Sequence, residues 1–251
     1  MVNGLDKFRE KFSKFSDGYA IIGGTACSVI MEHEGYAFRS TRDIDAILII
    51  DANNFKDFAK DFWEFIREGE YKFGWKGDKN AHFYRFTEPK SDYPIQIELF
   101  SKNENALDIP QGIMRVPISE DISSLSAIIL DEDYYNLIKN GCEKVDGIRV
   151  LKPENLIIFK MFARVNLEDE KNAGKHVNEK DLKKHKNDVF RLLQILPEET
   201  RVALPEKIRK HVQRFLDSMQ NESLDEQVLG QMLTKDAAIN LLREIYLTVG
   251  V

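Results

Sequence analysis

The chain has 251 residues, of which 43% are hydrophobic and 31% charged, a balance that excludes collagen-like, low-complexity and wholly disordered classes. No apolar run approaches the roughly 18 residues needed to cross a bilayer, and the opening MVNGLDKFREKFSKF lacks the apolar stretch and cleavage site of a secretory signal. Two cysteines, Cys27 and Cys142, make neither a disulfide framework nor a metal-spaced cluster, so the expectation is a globular protein of the cytoplasm without a membrane partner.

Net charge is −6 and unevenly spread: residues 139–215 carry 18 Lys and Arg against 12 Asp and Glu, which leaves 18 basic and 30 acidic residues elsewhere. A basic C-terminal half beside an acidic N-terminal half could receive a polyanion. The plainer reading of the same balance is a solvated helical surface.

Leu5, Phe8, Phe12 and Phe15 recur at helical spacing over residues 5–15. Tyr19–Ile22 reads as a short buried strand that stops at Gly23-Gly24, and a helix is expected from Thr25 to Glu34. The nearly continuous apolar run Ile44–Ile50 suits a strand buried on both faces. Phe55, Phe58, Phe62, Phe65 and Ile66 mark the next helix, and their stripe reads as core. His82–Phe86 and Ile95–Phe100 read as strands, as do the shorter Met114–Ile118 and Ala127–Leu130. Pro153 opens a helix, the polar stretch Glu168–Lys180 reads as a loop, and helices are expected over 178–196, 204–219 and 224–248. The organisation is a mixed α/β domain over residues 1–150 and an α-helical domain over 151–251.

The segment IIGGTACSVIMEHEGYAFRSTRDIDAILII carries the sharpest chemistry. Asp43 and Asp45 stand two apart at the start of a strand, so both side chains point to one face, about 6.5–7 Å apart at the backbone. Such a pair is costly without a cation between its members, and hard carboxylate oxygens suit Mg²⁺, which commonly takes one or two carboxylates plus substrate phosphates. Gly23 and Gly24 let backbone approach a ligand closely. The helix after them offers N–H groups and its positive dipole end, and Thr25 adds a hydroxyl. A triphosphate could lie on this turn with its Mg²⁺ on the aspartates.

The pattern G-G-x(18)-D-h-D-h, with h apolar, resembles the signature of the DNA polymerase β-like nucleotidyltransferase superfamily. That resemblance implies an α/β nucleotidyltransferase domain with a small mixed sheet. It also implies transfer of a nucleoside monophosphate from an NTP to a hydroxyl at a two-Mg²⁺ site, with a third carboxylate on an adjacent strand. In PIQIELF, Gln96 and Glu98 share one face and Ile95, Ile97 and Leu99 the other, so Glu98 is the candidate, where many members carry Asp.

Further along, LKPENLIIFKMFAR and KDLKKHKNDVFRL resemble the later motifs of the AbiE-type abortive-infection nucleotidyltransferase toxins. This implies that Lys160, for the nucleotide phosphates, and Asp188, as a further catalytic group, complete the site. It also implies an acceptor on tRNA, another RNA or a protein, and a cognate antitoxin. Arg164, one turn beyond Lys160, could help bind phosphates. His176, His185 and His211 lack metal-ligand spacing and are expected at the surface. An antibiotic-type transferase acting on a small molecule and a non-catalytic NTP-binding module are the alternatives.

Overall fold

Four apolar residues, Tyr19–Ile22, form β1, the fully buried strand near the middle of a seven-stranded sheet. The structure is a computed structural model and describes residues 2–49, 52–77, 81–102, 131–230 and 234–248. The expected strands Met114–Ile118 and Ala127–Leu130 lie outside these residues. The chain divides into two units, Met1–Leu151 and Lys152–Val251. Its fold class is the expected one, a mixed α/β sheet structure followed by an α-helical region.

In the first unit, α1 (Leu5–Phe12) precedes β1, and α2 (Gly23–His33) follows it directly. Then come β2 (Asp43–Leu48), α3 (Ala52–Glu68), β3 (Lys72–Gly77), β4 (Ala81–Thr87) and β5 (Gln96–Lys102). After them come α4 (Glu132–Asn140), β6 (Cys142–Val145) and β7 (Ile148–Leu151). The strand order is β3-β4-β5-β2-β1-β7-β6. β2 runs parallel to β5 and β1 parallel to β7, while the remaining neighbours are antiparallel.

The aromatic stripe of α3 is core, as its spacing requires. Phe58, Phe62, Phe65 and Ile66 are buried and Phe55 is half-buried. Phe62 meets Phe12, Phe58, Trp63 and Phe86 with ring centroids 5.2–6.3 Å apart. Offset and edge-on aromatic pairs of this kind add to the stabilisation that burial of their area already gives.

Several boundaries differ from expectation for identifiable reasons. α2 begins at Gly23 rather than Thr25 because Gly23 takes a left-handed φ of 69° that turns the chain straight from strand into helix. The hairpin β6–β7 was not anticipated. Its turn is Asp146-Gly147 with φ 49° and 81°, the doubly positive geometry that Asp-Gly favours between paired strands.

In the second unit, α5 (Pro153–Asn172) starts with proline in its first turn and continues into the stretch expected to be a loop, which shrinks to residues 173–178 between α5 and the next helix. Charged residues at 168–171 extend α5 because its solvent side needs no apolar face there. α6 (Glu179–Leu193) is capped by Asn178, whose side chain accepts from the Lys180 N–H. α7 (Glu206–Ser218) is followed by α8 (Glu226–Leu229) and α9 (Lys235–Leu247), so the single helix expected over 224–248 is divided. Gly230 ends α8 with φ 69°. Leu156, Ile157, Met161, Phe190, Val212, Phe215, Leu242 and Tyr246 fill the core, and Tyr246 donates its hydroxyl to Glu154 O at 2.7 Å.

Candidate functional site

The parallel pairing of β2 with β5 sets Asp43 opposite Gln96 and Asp45 opposite Glu98. Strand alternation then puts Asp43, Asp45, Gln96 and Glu98 on one face, while Ile44 and Ile97 fill the other. The antiparallel pairing of β1 with β2 sets Ile22 opposite Asp45, so the Gly23-Gly24 corner leaves the sheet beside that aspartate. The three carboxylates and the glycine corner expected from sequence therefore meet on one patch of the first unit.

The glycines are required there by space. A Cβ on Gly23 would lie 2.0 Å from Asp45 Oδ2, and one on Gly24 would lie 2.7 Å from Thr41 Oγ1 and 3.3 Å from Arg39 Nη2. Ile22, the residue capping α2, makes no side-chain hydrogen bond to its first turn. Thr25 departs from expectation. Instead of facing a phosphate, its hydroxyl is fully buried and donates to Asp43 O at 2.5 Å, stitching the start of α2 to the start of β2.

Glu98 is 7% exposed. Burial pushes its carboxyl above the usual glutamate range, the Arg85 guanidinium draws it back, and the negative charge of Asp43 adds to the rise. Arg85 Nε and Nη2 each lie 2.8 Å from Glu98 Oε1, and Gln96 Nε2 donates to the same oxygen at 2.9 Å. Arg85 and Arg39 were not singled out from the sequence, because cross-strand register and the fold of the 34–42 segment decide where they point.

Among the described residues, no three His, Cys, Asp or Glu side chains are gathered closely enough to hold a metal by themselves. The donor set nevertheless suits a hard cation. Asp43 is exposed and Asp45 half-buried, their carboxylates share a face, and Asp43 raises the cost of charging Glu98. A cation would relieve that repulsion and draw its remaining oxygens from water or phosphate.

In the second unit, Lys160 of α5 and Asp188 of α6 form an ion pair at 3.0 Å, with side chains 6% and 0% exposed. Arg191 stands one turn from Asp188, at 3.8 Å. Lys160 is thus buried, not on the polar side of its helix. Arg164 is also buried and is committed to carboxylates, Glu168 at 2.6 Å and Glu222 at 2.8 Å. Lys186 donates to the other Glu222 oxygen at 2.5 Å and to Ser223 O. A cavity of about 530 Å³ lies beside this network. His176 is exposed, as expected. His185 and His211 are half-buried instead, and the His211 ring packs 5.0 Å from Phe162.

No protein-family model matches the chain, and no curated protein matches it. Among solved structures it is similar to JHP933 from Helicobacter pylori, at 16% identity and a TM-score of 0.43, covering 95% of this chain and 86% of that one. It is also similar to the Megavirus polyadenylate synthase, at 12% identity and a TM-score of 0.40, covering 90% of this chain and 35% of that one. At these values the likeness leaves the assignment to the site's own chemistry. Among the described residues, no helix is long and apolar enough to cross a membrane.

Proposed function

We propose that this protein is a Mg²⁺-dependent nucleotidyltransferase that moves a nucleoside monophosphate from an NTP to an acceptor hydroxyl and releases pyrophosphate. The observation that carries the reading is the register of β2 against β5. It sets Asp45 opposite Glu98, with Asp43 on the same face, beside a glycine corner where a Cβ would crowd the Asp45 and Thr41 side chains.

Asp43 and Asp45 would hold the divalent cation, with Glu98 as third carboxylate. Bound there, Mg²⁺ would neutralise phosphate charge and lower the pKa of an acceptor hydroxyl. Gly23 and Gly24 leave room for the Asp45 and Thr41 side chains beside the turn, and phosphate oxygens would meet the backbone N–H groups that open α2. Thr25 fixes the Asp43 backbone, and so the aim of its carboxylate. Glu98, whose carboxyl is raised by burial, is the group suited to accept the acceptor's proton. Positioning and charge neutralisation supply most of the acceleration in phosphoryl chemistry of this kind.

Asp188 has no exposed side-chain surface, so its part in this reading is to fix the Lys160 ammonium rather than to meet an acceptor. Lys160 is likewise buried in that pair, so neither residue is assigned a contact with the nucleotide. The acceptor is proposed to be RNA, such as tRNA, or a protein, as in toxin–antitoxin and abortive-infection systems with a cognate antitoxin. The basic balance of residues 139–215 supports a polyanion.

The experiment is pyrophosphate release from each of the four NTPs with Mg²⁺ and a cell extract as acceptor source, comparing the protein with Asp43→Asn. Release that requires Asp43 supports the reading, and equal release from both proteins contradicts it.

A further inference from the structure

Three donor contacts converge on one oxygen of Glu98. Arg85 Nε, Arg85 Nη2 and Gln96 Nε2 all reach Oε1, at 2.8, 2.8 and 2.9 Å. Arg85 stands directly opposite Glu98 in the β4–β5 pairing, and Gln96 stands two residues before it on the same face of β5. Asp45, opposite Glu98 on the other neighbouring strand, hydrogen-bonds with the same carboxyl group. A glutamate has three side-chain torsions and loses considerable rotamer freedom when held. A planar guanidinium donating through two of its nitrogens fixes direction as well as charge.

We propose that Arg85 and Gln96 are positioning residues that clamp Glu98 through Oε1 and so fix its carboxyl group beside Asp43 and Asp45, where these side chains would take part in holding a divalent cation. The inference rests on the metal-dependent reading above. The clamp has two parts from two strands, and each part has its own test. Lysine at position 85 keeps the positive charge but has no fork. Leucine at position 96 removes the second donor and leaves Arg85 untouched.

The test is a titration with Mn²⁺ alone, without NTP, following the free-ion signal by electron paramagnetic resonance. The proteins are the full chain, Arg85→Lys, Gln96→Leu, and Asp45→Asn as the reference for loss of a ligand. Melting in metal-free buffer reports whether each variant folds. The clamp requires Arg85→Lys and Gln96→Leu to bind Mn²⁺ about tenfold or more weakly while remaining folded, as supporting residues around metal ligands typically do. Should Arg85→Lys fail to fold, Gln96→Leu decides. Affinity equal to or tighter than that of the unaltered chain overturns the clamp, and tighter binding would mean that Arg85 competes with the cation for Glu98. If the unaltered chain binds no Mn²⁺, with or without ATP, the metal-site reading falls and the clamp falls with it.

Discussion

Gly23 and Asp45 are fitted to one another, for the carboxylate Oδ2 occupies the space 2.0 Å from where a Gly23 Cβ would stand. Gly23 also holds a φ of 69° at the strand-to-helix turn. Gly23→Ala must therefore strain the backbone and displace Asp45 together. The expected outcome is a loss of about 1–3 kcal/mol in urea unfolding. A carboxylate displaced by an ångström also costs about 10²-fold in turnover. An alanine variant with unaltered stability would contradict the close fit.

Lys160 and Asp188 form a buried pair, so removing either charge takes from the other its close ion-pair partner at 3.0 Å in the core of the second unit. Lys160→Met and Asp188→Asn are each expected to destabilise by about 3–5 kcal/mol. The double replacement is expected to cost less than the two single losses added together, because it leaves no orphan charge. Urea midpoints for the three variants measure this coupling.

Glu222 gives the pH dependence its sign. Burial alone would raise its carboxyl, but Lys186 and Arg164 more than offset that and hold it below the usual glutamate value of 4.5. The carboxylate therefore stabilises the fold at pH values above the usual glutamate range. That contribution is lost as pH falls through the lowered value. Glu222→Gln is expected to melt lower than the unaltered chain at neutral pH, and the gap is expected to close on acidification. A gap that stays constant with pH would remove Glu222 from the account.

Phe62 tests the aromatic core. It is fully buried among four rings, so Phe62→Ala is expected to cost about 3–5 kcal/mol by cavity formation. Equilibrium unfolding checks it.

What could be read in advance follows from how locally each feature is encoded. Continuous apolar runs placed β1 and β2, spacings of three and four placed α3, and alternation placed β5, each within a few residues, since burial dictates residue type along the element. The aspartates and glycines were legible because their chemistry depends on a short spacing, and Glu98 because β5 alternates. Arg85 was not, because its partner lies across a strand pairing that single-strand periodicity does not encode. Thr25 was misread, since a hydroxyl beside a glycine corner suits a phosphate or a backbone carbonyl equally well until the register of β2 is known. The Asp146-Gly147 hairpin and α4 were not among the expected elements, although an Asp-Gly dipeptide and the Asp131 cap, whose carboxylate accepts from Asp133 N–H and Tyr134 N–H, were signals that could have found them. The helical extension past Glu168 had no apolar stripe to announce it.

The most direct measurement is transfer of label from each α-labelled NTP to total cellular RNA and protein, with the unaltered chain compared with Asp45→Ala. The account expects label to enter one acceptor class with one NTP or more, and to fall to background in Asp45→Ala. Undiminished labelling by the alanine variant would contradict it.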